Sequence, residues 1–160
     1  MENILNKEPD QRVQKKLDEY NKELRVIVLN SSARTAQQAA DSLNTEVGSI
    51  VKSLLFKTEN GFLLCLVSGD KRCSLNKLKK IKNQKDISMA NPDEVKEITG
   101  FTIGGVSPVG HLKPLEIYID EELSRFKNIY AAAGHPNCIF KIDFDNLTKI
   151  TKGSVKNITE

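Results

Sequence analysis

The apolar positions of the chain fall into stretches of helical period and stretches of strand period. Val13, Leu17, Tyr20 and Leu24 recur at spacings of four, three and four, which predicts an amphipathic helix from about Asp10. The run RVIVLN from Arg25 then reads as a strand. Thr35 can cap a second helix, with Gln38 three residues on closing a capping box and Ala36, Ala39, Ala40 and Leu43 forming its packing face. Residues 50–57 and 62–67 are apolar runs rich in β-branched and aromatic residues. Asn60-Gly61 between them favours the left-handed dihedrals of a tight reversal, so the pair predicts a hairpin.

Ser74 is a candidate cap for a helix turning Leu75, Leu78 and Ile81 inward. Asn91-Pro92-Asp93-Glu94 combines a cap, proline in the first turn and early negative charge, and that helix should stop at Gly100. Residues 101–114 have no period and hold three glycines and two prolines, which predicts a long irregular loop. Residues 115–119, 129–133 and 138–142 read as strands, with short helices after Asp120 and Asp143. Without regular β-α-β alternation, these elements predict an α+β fold in a single domain around a mixed, largely antiparallel sheet. Residues 1–34 supply the N-terminal helix and first strand, and residues 35–160 the remainder of the same domain.

Composition narrows the function classes more than it names one. At 160 residues and 39% apolar content the chain can build a core without disulfides or metal. Its first residues carry no apolar run of signal-peptide length, and no stretch approaches the roughly 20 apolar residues that span a bilayer, so a soluble cytoplasmic protein without a membrane partner is expected. Cys65, Cys73 and Cys138 form no C-x-x-C pair and read as reduced thiols. With only His111 and His135 beside them, neither a metal nor another cofactor is expected. A net charge of +3 favours an anionic partner only weakly, although Lys77, Lys79, Lys80, Lys82 and Lys85 form a basic stretch that can serve as a solvated face or attract phosphates.

Lys52 is the residue that the strand pattern marks out. Side chains alternate across a strand, so Lys52 shares a face with Ile50, Leu54 and Phe56. An ammonium placed there either snorkels to an edge, pairs with an acid, or serves a site that needs a cation. The segment Gly104-Gly105-Val106-Ser107-Pro108-Val109-Gly110 is the second candidate. Its glycines permit close ligand approach and its N–H groups could polarise a carbonyl, but an ordinary surface loop has the same composition. In the third, Ala131-Ala132-Ala133-Gly134-His135-Pro136, small residues leave space and a Gly-His-Pro turn projects His135 outward. A lone histidine is also a common structural residue. No Gly-x-Ser-x-Gly elbow is present to support a serine hydrolase.

Taken in order, Ile50-Val51-Lys52-Ser53-Leu54-Leu55-Phe56, Leu66-Val67-Ser68-Gly69-Asp70 and the segment 104–110 resemble the YbaK family of aminoacyl-tRNA deacylases, and the resemblance runs from about Thr35 to the C-terminus. It implies a barrel-like sheet surrounded by helices, and a pocket for the aminoacylated 3′ end of tRNA. It also implies a reaction, hydrolysis of the ester of a mischarged tRNA, and relates the chain to free-standing trans-editing proteins and to the editing domain of bacterial prolyl-tRNA synthetases. By the same resemblance Lys52 matches the family's essential lysine, acting as a positioning and electrostatic group. Gly110 closes the substrate loop formed with Gly104, Gly105, Val106, Ser107 and Pro108, with N–H groups of Gly105 and Gly110 near the ester. Gly134 and His135 fall in the segment that helps select the amino acid. Alanine on tRNA for proline is the first expectation, with a cysteine-releasing or broad-specificity deacylase as the alternative. Prolyl-tRNA synthetase is the candidate protein partner. Two readings of other classes stay open: a tRNA- or synthetase-binding module that does not hydrolyse, and a small-ligand domain holding an anion in the glycine loop.

Overall fold

The computed structural model describes residues 8–31 and 33–160. Residues 1–7, part of the segment read as lacking a signal-peptide run, and Ser32 lie outside the described residues. The first helix, α1 (Glu8–Tyr20), buries Val13 and Leu17 in the main core. It ends four residues earlier than the apolar period suggested. Leu24 reaches the core from a turn in which its own N–H donates to the Asn21 carbonyl (3.1 Å), so its spacing from Tyr20 is not a helical one. Only Ile27–Val28 (β1) of the predicted first strand pairs, and both its side chains are exposed while the flanking Val26 and Leu29 are buried.

Local signals place most of the helices. Thr35 caps α2 (Ala36–Leu43) in a complete capping box with Gln38. Ser74 caps α3 (Leu75–Lys82), and Asn91, with Glu94 returning the bond, caps α4 (Pro92–Thr99), which ends on the left-handed Gly100. Asp120 caps a short 3-10 turn over Glu121–Arg125, and Asp143 caps α5 (Phe144–Thr151). In α3 the predicted inward face is wrong: Leu78 alone is buried, and Leu75 and Ile81 are each 38% exposed. The helix is held instead by polar tethers from its flanks, Lys77 Nζ donating to Asn157 and to the Thr159 carbonyl and Lys82 pairing with Glu116.

Eight strands form one sheet: β1, β2 (Ile50–Lys57), β3 (Phe62–Ser68), β4 (Ser88–Met89), β5 (Glu116–Asp120), β6 (Ile129–Ala132), β7 (Cys138–Ile142) and β8 (Ser154–Lys156). Their order is β1-β7-β6-β2-β3-β5-β8, with β4 added to the free edge of β2. The β1–β7, β2–β3, β2–β4 and β6–β7 pairings are antiparallel, whereas β2–β6, β3–β5 and β5–β8 are parallel. The predicted hairpin forms with Lys57 opposite Phe62, and the Thr58 N–H donates to the Gly61 carbonyl (2.8 Å). Its turn differs from the expectation, since neither Asn60 nor Gly61 is among the residues of positive φ. Four residues between the strands reverse the chain without left-handed dihedrals.

Both faces of β3 are covered. Leu64 and Leu66 enter the main core with α1, α4 and α5, while Leu63, Cys65 and Val67 enter a second core with Phe56 and Leu78. A third, smaller cluster joins the alanines of α2 to Ile50 and Ile139. No helix among the described residues is long and apolar enough to cross a membrane.

Candidate active site

Where β2 loses its neighbours, the sheet opens into a pocket of about 330 Å³. Along one edge β2 pairs with β3 at every residue from 51 to 57. Along the other it pairs with β6 only at Ile50 and Val51, and with β4 only at Phe56 and Lys57, extended one residue by the Ala90 N–H donating to the Leu55 carbonyl (3.0 Å). The notch between is closed by the alanines of α2, by Gly104 and Val106, and by Tyr130, Ala131 and Pro136.

Lys52 lies in the wall of this pocket and also in the wall of a second groove, beside Asp70, Lys71, Arg72 and Cys73. Its ammonium donates to the Lys71 carbonyl at 2.5 Å. Burial pushes the Lys52 pKa below the ordinary lysine value, partly opposed by Cys73, Asp70 and Asp120 and reinforced by Arg72. The turn that carries these neighbours is itself anchored. The Ser68 N–H donates to Asp120 Oδ2 (3.0 Å), and Arg125 Nη2 donates to both Ser68 Oγ and Asp70 Oδ1 at 2.8 Å. A hydrogen bond from Arg125 is the main reason that the Asp70 carboxyl is held below the usual carboxylate range. Of the three free thiols, Cys65 and Cys138 are buried; desolvation, with Asp10 adding to it, pushes Cys138 up to about 12.

The glycine segment is divided between two surroundings. Gly104, at φ +95°, and Val106 line the pocket. Gly105 packs so closely on the next candidate segment that a Cβ there would lie 2.9 Å from the His135 nitrogen. Its N–H already donates to the Thr102 carbonyl and its carbonyl accepts from Gly134, each at 3.0 Å. Ser107 and Pro108 are buried, with Ser107 Oγ accepting from the Val109 N–H (3.1 Å) and the Ser107 carbonyl 2.7 Å from His111 Nε2. Gly110 faces α1, where its carbonyl accepts from Arg12 Nε. Gly105 therefore has no free N–H to offer, and Gly110 does not line the pocket; both serve packing that composition could not reveal.

Gly134, at φ +95°, sits against the start of α1, where a Cβ would lie 2.8 Å from the Pro9 carbonyl carbon. His135 is half-buried and lies beside the pocket mouth, in a shallow groove with Arg34, Thr102 and Asn137. Its Nδ1 accepts from the Asn137 N–H (3.1 Å), which leaves Nε2 to carry the proton of the neutral ring.

Sequence reasoning passed over Ser53, the central residue of the notch. Val51 and Leu55 turn their backbone groups towards β6 and β4, and a strand residue two positions away turns the same way. The Ser53 N–H and C=O consequently point into the opening, and Ser53 Oγ is buried with no hydrogen-bond partner among the described residues. The alternation that singled out Lys52 could have found it, because Ser53 is a polar residue between Val51 and Leu55 on the face that those two bury in the core.

A family profile described as "Aminoacyl-tRNA editing domain" matches residues 30–150. The uncharacterised protein YwhH of Bacillus subtilis (strain 168) is 31% identical over 138 residues, covering 86% of this chain and 87% of its own. The proline–tRNA ligase of Caldicellulosiruptor saccharolyticus is 30% identical over 136 residues; the match covers 83% of this chain but 23% of the ligase. A crystal structure of a proposed trans-editing enzyme for prolyl tRNA synthetase superimposes with a TM-score of 0.91 at 41% identity, covering 96% of this chain and 98% of the other.

Proposed function

The chain belongs to the aminoacyl-tRNA editing domain family, and from that premise we propose that it hydrolyses the ester of a mischarged aminoacyl-tRNA in trans, releasing a small amino acid, alanine on tRNA for proline before others. The observation that carries this reading is the placement of Lys52: a half-buried ammonium in the wall of a pocket lined mostly by apolar side chains. An aminoacyl ester is already activated, so the protein has to hold it, stabilise charge on its carbonyl oxygen and admit water. The water oxygen bonds to the carbonyl carbon, the ester C–O bond breaks, and the terminal ribose leaves with a proton on its oxygen. Lys52 supplies the positive charge and positions the ribose or its phosphate, and a ribose hydroxyl helps to position the water. The relation to proline–tRNA ligases supports prolyl-tRNA synthetase as the enzyme whose errors are corrected.

The test is a panel of tRNAs carrying different mismatched amino acids, following loss of the ester against the uncatalysed background. Alanyl-tRNA for proline is expected to be cleared fastest; no acceleration across the panel leaves the two binding readings, and cysteine cleared in place of alanine changes the substrate. The pocket separates side chains differing by one methylene by only about 1–3 kcal/mol, so a graded preference is expected, not an absolute one.

His135→Ala is expected to change the order of preference across that panel, by roughly three- to tenfold for individual amino acids, while the fastest substrate is still hydrolysed at a comparable rate. His135 lines the groove beside the pocket mouth, whose walls do not include Lys52, which supports a part in selection over a part in the reaction. Unchanged selectivity removes His135 from that role.

A further inference from the structure

Ser53 combines three features that no other residue of the pocket shares. Its N–H and C=O face the one gap in the ladder along that edge of β2, it lies in the wall of the pocket, and its buried Oγ lacks a hydrogen-bond partner among the described residues. An unpaired hydroxyl inside a protein is costly, and here it stands beside a backbone N–H and C=O that have no ladder partner, so the three together mark a place suited to a polar ligand. Their arrangement also states what that ligand offers. A strand residue with a free edge donates from N–H and accepts at C=O, and its complement carries an acceptor and a donor on one backbone unit, as a residue of a neighbouring strand does. An α-aminoacyl ester has that pattern: a carbonyl oxygen and, on the adjacent carbon, an ammonium.

We propose that the aminoacyl group binds as a one-residue strand partner of Ser53, completing the ladder between β6 and β4. The substrate carbonyl accepts from the Ser53 N–H; the α-ammonium donates to the Ser53 carbonyl and to Ser53 Oγ. This deepens the deacylase reading and rests on it. Directly opposed residues of paired strands put their side chains on the same face, so the side chain of the bound amino acid points where Ser53 points, towards Val95, Val106 and Ala131 of the main core. Recognition of the amino acid as an amino acid thus lies in backbone groups, and discrimination among amino acids lies in the apolar wall. The Ser53 N–H contributes the donor to the ester carbonyl that the glycine segment does not provide from Gly105.

Deamination of alanyl-tRNA to lactyl-tRNA keeps the ester and the methyl group but replaces the ammonium with a neutral hydroxyl. Each substrate's single-turnover rate is measured with wild type and with Ser53→Ala, and divided by that substrate's spontaneous rate because the ammonium itself activates the ester. Wild type is expected to accelerate the alanyl ester about 10- to 100-fold more than the lactyl ester, the difference that a hydrogen bond to a charged group makes. Ser53→Ala is expected to slow alanyl release about tenfold and lactyl release little, narrowing the ratio, with Tm unchanged. Equal acceleration of both esters by wild type overturns this inference alone, and so does a folded Ser53→Ala variant with the wild-type ratio. If that variant fails to fold, the wild-type comparison still decides. No acceleration of either ester or of the panel overturns the deacylase reading and this inference with it.

Discussion

Lys52→Ala is expected to reduce the deacylation rate by about 100- to 1000-fold, the scale on which removal of a single charge-stabilising donor acts in ester and amide hydrolysis. The same variant should unfold within a few degrees of the wild-type Tm. Burial depresses the Lys52 pKa, which means that the fold disfavours the charged form relative to the unfolded chain. Below the ordinary lysine pKa this penalty makes the ammonium a stability cost, and removing it offsets part of the packing lost with its stem. The Lys71 carbonyl loses a donor, worth about 1 kcal/mol, in a half-exposed position that water can reach. Stopped turnover with intact stability is the combination that separates a functional lysine from one that snorkels or pairs for structural reasons. A folded Lys52→Ala protein with full activity on the panel would remove Lys52 from the active site.

Gly69→Ala is expected to be the most damaging single methyl group in the site, lowering stability by about 3 kcal/mol or more and Tm by about 6–12 °C. A Cβ at this position would lie 2.2 Å from the Val47 carbonyl oxygen and 3.1 Å from that of Ile50. Both belong to rigid backbone: Val47 to the 3-10 turn leading into β2, and Ile50 to β2 itself at its pairing with β6. The clash can be relieved only by moving the start of β2, two residues from Lys52, or the turn that carries Asp70. Calorimetry measures the first effect and the alanyl-tRNA assay the second, which should fall with it. A Tm within about 1 °C of wild type would show that the Ser68-Gly69-Asp70 turn has more room than the structure gives it.

The helix starts were legible because a cap is a local device: Thr35, Ser74, Asn91 and Asp143 each satisfy a backbone N–H three residues away, so sequence spacing contains the whole interaction. Lys52 was legible for a related reason, a polar residue out of phase with a period of two. What escaped depends on partners distant in sequence. β4 and β8 are two and three residues long and exist through pairing with β2 and β5. Leu75 and Ile81 have helical spacing, but whether anything covers that side of α3 is decided by Asn157, Thr159 and Glu116, which draw its lysines elsewhere. Gly105, Gly110 and Gly134 stood out by residue type, but what they approach is distant in sequence: one packs on the 134–135 backbone and two on α1. Ser53 was visible to the same argument as Lys52, but serine is common enough on strands to pass unremarked beside a lysine.

The pairing of Ile50 with Tyr130 and Val51 with Ala131 has a consequence for how the protein is made. Ribosomal synthesis delivers β2 long before β6, and the pocket needs both, together with Pro136 and Ile139 beyond them. Contacts of such sequence separation form slowly because a long chain segment must be closed before any of them is gained. A nascent chain that has already folded its β2–β3 hairpin therefore holds Lys52 and Ser53 on an open strand edge, available for wrong pairing and without a binding cavity, until β6 and the residues up to Ile139 have emerged. Competence to act on tRNA waits for β6 and the residues up to Ile139 to be made.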